Sequence, residues 1–234
     1  MKKYGVVTLM GAPNAGKSTL LNAILGEKLS IVCHKRQTTR TRVAGILTEG
    51  DTQVLIVDTP GIFFDTKKKI DKAMVSAAWQ ATFEAHLIFL IVDVTATYLR
   101  DDIAKITAKL ESVSDKVVLI LNKIDLFKNK AALLSLTEDL SKTFPFKEVF
   151  MISSKKGEGV PGLISFMKKK MPEGAWIYPE DQLTNLSERF LTAELTREVL
   201  LHQLHEEIPY GLTVHTEQWE AFDNGDVKIF QMIN

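Results

Sequence analysis

The sequence predicts an α/β fold: a mostly parallel six-stranded sheet with one antiparallel edge and helices on both faces, followed by a smaller α+β unit. Three observations lead there. Over the first 170 residues, short apolar runs alternate with stretches of helical spacing, the pattern of strands joined by helical crossovers. One pair of runs, Arg42–Thr48 and Thr52–Asp58, is separated only by Glu49-Gly50-Asp51, a tight hairpin turn that makes one strand antiparallel. After Met171 the pattern changes to Pro- and Gly-containing linker, then one long helix and two strand-like runs.

Taken in order, Val6–Met10 is an apolar strand that runs into a Gly-rich turn, and Ser18–Leu25 is a helix closed by Gly26. The hairpin follows. Lys69–Ala85 has helical spacing at Ile70, Met74, Ala77 and Ala81. Leu87–Val94 and Val117–Asn122 read as buried strands on either side of a helical Ile103–Val113. Asn129–Phe144 is helical, Glu148–Ser153 is a strand, and Val160–Met171 is the last helix of this unit. Pro172-Glu173-Gly174 and Tyr178-Pro179-Glu180-Asp181 read as linker. Ser187–Ile208 is a long amphipathic helix stopped at Pro209, and Leu212–Trp219 and Val227–Ile233 flank a turn at Asp223-Asn224-Gly225. One helix and one hairpin are too little for an independent core, so the second unit is expected to be incomplete here. The expected division is 1–175 and 176–234.

Composition narrows the function. The 234 residues are 45% hydrophobic and 25% charged, which excludes disorder and collagen-like repeats. The single cysteine, Cys33, excludes a disulfide framework and a Cys-rich zinc site, and suits a reducing cytoplasm. The longest strong apolar run, Leu87–Val92, is far short of the ~20 residues that span a bilayer. Met1-Lys2-Lys3-Tyr4-Gly5 enters a strand at once and has no signal-peptide apolar region. The net charge of zero hides an asymmetry: residues 176–234 hold 11 acidic and 3 basic side chains, which leaves an excess of base in residues 1–175. An acidic segment is a poor binder of nucleic-acid phosphates.

The chemistry sits in four motifs. Gly11-Ala12-Pro13-Asn14-Ala15-Gly16-Lys17-Ser18 matches G-x-x-x-x-G-K-[ST], between a strand and a helix. Such a loop turns its N–H groups onto phosphate oxygens at a positive helix end; the lysine reaches the β- and γ-phosphates, and the serine hydroxyl ligates magnesium. The bland alternative is an ordinary Gly-rich turn. Asp58-Thr59-Pro60-Gly61 ends the next parallel strand, where an acid suits a magnesium partner and Gly61 can offer its N–H to a γ-phosphate. Asn122-Lys123-Ile124-Asp125 ends another strand; a carboxylate accepts two hydrogen bonds from guanine and leaves adenine unmatched. Asn122 and Lys123 would brace that loop. Ile152-Ser153-Ser154-Lys155, at the last strand end, is placed to give a backbone N–H to guanine O6.

In this order and spacing the four motifs resemble the signature of the Ras-like GTPase superfamily, over residues 6–171. The P-loop continued through Thr19, with Gln37-Thr38-Thr39-Arg40, Asp58-Thr59-Pro60-Gly61-Ile62 and Tyr178-Pro179-Glu180-Asp181-Gln182, closely resembles the Era family of bacterial ribosome-assembly GTPases. The resemblance implies a GTP-hydrolysing switch in small-subunit assembly. It implies ribosomal RNA and the small subunit as partners, a monomer, and a cytoplasmic location with weak peripheral association at the inner membrane face. GTP/GDP and Mg2+ are the implied cofactors, with K+ as a further ion. Implied nucleotide contacts are Gly11, Ala12, Pro13, Asn14, Ala15, Gly16, Lys17, Ser18, Thr19, Asp58, Thr59, Pro60, Gly61, Asn122, Lys123, Asp125, Ser153, Ser154 and Lys155. Ser18, Thr39 and Asp58 are the implied magnesium residues, with Thr38 as the alternative to Thr39. Lys17, Thr39, Gly61 and Asn14 are the implied catalytic set. Ile62 stands where Ras-type proteins place a water-orienting glutamine, and Asn14 resembles the asparagine that holds potassium in relatives.

The family pattern continues into a KH-type RNA-binding domain, whose start Pro209-Tyr210-Gly211-Leu212-Thr213-Val214 resembles. A KH domain clamps RNA with a G-x-x-G loop, and none occurs in residues 176–234. Gly159-Val160-Pro161-Gly162 has the spacing but reads as a helix start. His202, His205 and Glu206 share one helix face and are expected to be solvated or packed rather than metal ligands. Lys67-Lys68-Lys69 and Lys168-Lys169-Lys170 read as solvated runs, with RNA or anionic lipid as the alternative. Two other classes stay open at this point: a P-loop ATPase or nucleotide kinase, and a non-hydrolysing RNA-binding protein.

Overall fold

The computed structural model describes residues 1–32, 43–61, 79, 82, 84–127, 130–204 and 212–234. In chain order the described elements are β1 Lys3–Met10, α1 Lys17–Leu25, β2 Val43–Glu49, β3 Thr52–Asp58, β4 Leu87–Asp93 and α2 Leu99–Thr107. Then come a 3-10 segment Glu111–Lys116, β5 Val117–Asn122, a 3-10 turn Ile124–Leu126, α3 Lys130–Thr143, β6 Glu148–Met151 and α4 Val160–Lys170. Last are α5 Glu188–Gln203, β7 Val214–Ala221 and β8 Val227–Ile233. The expected helix over 69–85 lies mostly outside the described residues; Trp79 and Thr82 within it are helical. The expected Ile103–Val113 helix is instead α2, which starts earlier, followed by the 3-10 segment.

The main sheet runs β2-β3-β1-β4-β5-β6, parallel throughout except for β2, which pairs antiparallel with β3. Alternation within the strands sends side chains to both faces. On one face Val7, Leu9, Phe89, Ile91, Val118 and Ile120 pack with Leu20 and Leu21 of α1 and Leu163 and Met167 of α4. On the other, Met10, Ile88, Leu90, Leu119 and Leu121 pack with Ile103 of α2 and Leu133 and Leu140 of α3. A strand covered on both faces must be apolar at every position, which is why β4 and β5 read as unbroken hydrophobic runs.

The segment expected to be linker is pinned to the sheet. The buried Gln53 amide accepts from the N–H groups of Ile177 and Tyr178 (both 3.0 Å) and donates to Tyr178 O (2.9 Å). Ile46 N–H donates to Leu183 O (2.8 Å), and Thr184 Oγ1 donates to Ala44 O (2.7 Å), so the edge of β2 is covered. Helix α5 is capped by Ser187, whose Oγ accepts from Phe190 N–H (3.3 Å). It is followed by a separate hairpin, β7 with β8. Leu201 of α5 and Leu212 form a small apolar cluster with Ile31 of the first unit. Among the described residues, no helix is long and apolar enough to cross a membrane.

Candidate nucleotide site

A parallel sheet carries the C-terminal ends of its strands to one edge. Here β1 lies between β3 and β4, two strands consecutive in sequence that take opposite sides of it, and a crevice is expected at that edge where the order reverses. The four motifs, far apart in the chain, converge there.

The 11–16 loop leaves β1 with Gly11 at φ 147°, Asn14 at φ 61° and Gly16 at φ 98°. These positive φ values turn the loop back over the start of α1. Gly16 is the N-cap and offers no side-chain cap, and the first turn of α1 holds no acid, so its N–H groups suit an anion. Lys17 is buried, and its Nζ donates to Gly11 O (3.1 Å) and Ala12 O (2.9 Å) across its own loop. Burial pushes the Lys17 amine down to about 8, against the opposing influence of Asp58. Thr19 follows within the first turn of α1.

Asp58, the last residue of β3, is buried. Its Oδ2 accepts from Ser18 Oγ (2.6 Å) and from Ser30 Oγ (3.0 Å). This donor set is entirely hard oxygen with one carboxylate, which fits Mg2+, an ion that takes one or two carboxylates and completes its shell with water and substrate phosphates. Among the described residues no group of three or more His, Cys, Asp or Glu side chains could hold a metal ion. Thr59 Oγ1 donates to Leu9 O (2.7 Å) and fixes the start of the next loop, which continues through Pro60. Gly61 lies against the P-loop: a Cβ there would stand 2.9 Å from Pro13 Cα.

The other end of the crevice is organised by Asn122. Its Nδ2 donates to Ala15 O (2.8 Å), and its Oδ1 accepts from Ser154 N–H (3.0 Å) and Ser154 Oγ (2.9 Å). One buried side chain therefore ties the P-loop to the last strand-end loop. Ser153 Oγ donates to Asp125 Oδ1 (2.7 Å) and sets that carboxylate's orientation, while Ser153 N–H donates to Glu158 O (3.0 Å). Lys123, at φ 66°, pairs with Asp93 (2.6 Å) at the end of β4. Burial works to raise the Asp93 pKa, but hydrogen bonds from Lys123 and Thr95 outweigh it and hold the carboxyl below its usual range. Lys155 is exposed at the rim.

Thr38, Thr39, Gln37, Arg40, Cys33, Ile62, Lys67-Lys68-Lys69, His205 and Glu206 lie outside the described residues. Gly159 is the left-handed N-cap of α4, as the helix-start reading expects. His202 Nε2 lies 3.1 Å from Val32 O, and Lys168 pairs with Glu49 (2.8 Å). Sequence reasoning did not single out Ser30, Asp93 or Asn22. Only Asp93 carried a signal, an acid at the C-terminal end of a third parallel strand.

Residues 6–123 match a family model described as 50S ribosome-binding GTPase. The GTPase Era of Dinoroseobacter shibae is 46% identical over 234 residues, which is 99% of this chain and 75% of that protein. The GTPase Era of Brucella suis is 45% identical over 231 residues, 99% of this chain and 73% of its own. The chain belongs to the Era family. Its activity is therefore GTP hydrolysis, which sets aside the ATPase, kinase and non-hydrolysing readings. Solved Era structures agree in fold. Era in complex with MgGDPNP and nucleotides 1506–1542 of 16S ribosomal RNA has a TM-score of 0.92 at 33% identity, covering 100% of this chain and 79% of that chain. An Aquifex aeolicus Era variant bound to GDP·AlF4− has a TM-score of 0.91 at 33% identity, covering 99% of this chain and 78% of that one. The Era family fold thus spans both the sheet domain and the C-terminal helix and hairpin.

Proposed function

We propose that GTP lies along this edge with its phosphates in the 11–19 loop and its base between Asp125 and the 153–155 turn. The observation that carries the reading is the Asn122 side chain, which joins Ala15 of the phosphate loop to Ser154 of the base loop in one crossing. Lys17 then moves its charge from two loop carbonyls to the β- and γ-phosphates, where its proton is better accommodated. Asp125, held by Ser153, accepts from the guanine N1–H and exocyclic amine, and the Ser154–Lys155 turn donates to O6. Lys123, steadied by Asp93, lays its stem beside the base. Ser18 and Asp58 would hold Mg2+ together with Thr39; the ion supplies charge neutralisation at the phosphate oxygens. Thr39 and Gly61 sense the γ-phosphate and release it on hydrolysis, which makes the protein a switch. Ile62 offers no hydrogen bond to water, so the attacking water would be held by backbone groups, a more distant residue or a partner; Asn14 would help hold K+, which would supply positive charge at the phosphates where an arginine finger otherwise acts.

The partner in this reading is small-subunit ribosomal RNA, as in the Era–16S RNA complex, and the cellular role is assembly of that subunit. Residues 1–175 are the GTPase domain and 176–234 the linker and KH-type part. A weak association with the inner membrane face belongs to the same reading. The test of the nucleotide assignment is competition of GTP and ATP against a fluorescent GDP analogue, with phosphate release followed in Mg2+ and K+. Displacement by GTP alone and phosphate release are expected; equal displacement by ATP overturns the guanine assignment. For RNA, anisotropy with a fragment spanning nucleotides 1506–1542 of 16S ribosomal RNA is expected to show binding that weakens steeply with salt.

A further inference from the structure

The stretch 28–32 lies between α1 and the residues that carry Thr39. It is tethered from two directions. Asn22 of α1 accepts from the N–H groups of Leu29 (3.0 Å) and Ser30 (2.9 Å) and donates to Ser30 O (2.8 Å). From the C-terminal helix α5, Glu198 Oε1 accepts from Val32 N–H (2.9 Å) and Glu198 Oε2 pairs with Lys28 Nζ (2.6 Å). One turn on, His202 Nε2 donates to Val32 O (3.1 Å), and Ile31 packs on Leu201. Both main-chain groups of Val32 are thus held by side chains of a helix more than 160 residues away in sequence. Glu198 is only 4% exposed, so its carboxylate is committed to this contact.

Between these tethers sits Ser30, 2% exposed, whose Oγ donates to the same Asp58 oxygen that accepts from Ser18. We propose that Ser30 and Glu198 are positioning residues for the nucleotide site: α5 grips Val32 through Glu198, and the segment so fixed holds Ser30 against Asp58 and orients the carboxylate on the magnesium side. The proposal rests on the assignment of Ser18 and Asp58 to that side. A carboxylate held by two hydroxyls has a fixed lone-pair direction, and such outer partners tune metal affinity. Because α5 lies in the C-terminal part of the chain, the contact also makes the nucleotide site depend on that part being seated.

The test uses the full chain and the release of a fluorescent GDP analogue, measured over a magnesium titration and again in EDTA. Ser30→Ala is expected to raise the magnesium concentration needed for slow release by about 10-fold or more. Its release rate in EDTA should match the parent. Glu198→Ala is expected to shift the same titration in the same direction by a smaller factor. Glu198→Gln, which keeps the acceptor for Val32 N–H, should lie close to the parent and shows that the fold tolerates the position. A merely structural role would speed release equally with and without magnesium, and that result overturns the proposal, as does an unmoved titration in Ser30→Ala. Ser18→Ala in the same assay separates the two readings: if it too leaves the titration unmoved, the metal side itself is misassigned.

Discussion

Replacing Lys17 with methionine tests the phosphate loop through a property that does not depend on turnover. In the nucleotide-free protein the buried Lys17 amine titrates at about 8 instead of 10.5. A depression of that size corresponds to about 3 kcal/mol of disfavoured charge at neutral pH. Lys17→Met relieves that buried charge but leaves Gly11 O and Ala12 O without their donor, two effects of opposite sign, so the nucleotide-free stability should change by no more than about 3 kcal/mol. Nucleotide affinity should be largely lost. The pH dependence gives the sharper signal. Between pH 8 and 10.5 the unfolded chain keeps the Lys17 proton while the folded chain has released it. The unfolded state then binds more protons, so stability rises with pH, by about 1.4 kcal/mol per unit at most. Lys17→Met lacks this rise. Thermal unfolding in EDTA from pH 7 to 10, read as parent minus variant, should therefore climb above pH 8. A flat or falling difference refutes the view that burial drives this lysine's proton off. Calorimetry in buffers of different ionisation enthalpy should also show proton uptake on GTP binding near pH 9.

Three further outcomes are expected. Asp125→Asn should cost guanine nucleotides about 1–3 kcal/mol and favour xanthine, whose 2-oxo group prefers a donor; GTP and XTP competition checks it, and unchanged GTP affinity counts against the base pocket. Gly16→Ala places a Cβ against the Asn122 amide at a φ of 98°, and should destabilise the protein by about 1–3 kcal/mol and weaken nucleotide binding together, measured by thermal unfolding and fluorescent-GDP titration. GTP turnover should be faster in potassium than in sodium at equal ionic strength, and Asn14→Ala should remove most of that difference while leaving binding nearly intact; equal parent rates in both ions end the idea.

Much of the fold was legible because its cause is local. The unbroken apolar runs of β4 and β5 state that both faces are covered, and the Glu49-Gly50-Asp51 turn states which strand is antiparallel. The four motifs were legible for the same reason: each is a short run with a fixed backbone task at a strand end. Less visible was the segment 172–186, whose Pro and Gly look like free linker until the buried Gln53 amide is seen to hold it. Side-chain pairs across long loops were not legible either. Ser153 with Asp125, Lys123 with Asp93 and Ser30 with Asp58 leave no periodicity, because each partner is an ordinary polar residue in its own stretch.

The sequence by itself determined the strand-helix alternation, the antiparallel edge, the glycine-rich 11–18 loop between β1 and α1 and the place of Asp125 just past the end of β5, since spacing and residue type fix these within a few residues. Only the tertiary structure decided that Asn122 bridges the phosphate and base loops, and that Glu198 of the C-terminal helix holds Val32. Those contacts exist because a parallel sheet brings its strand ends to one edge and α5 packs beside Ile31, and proximity of that kind is a product of the whole chain's packing.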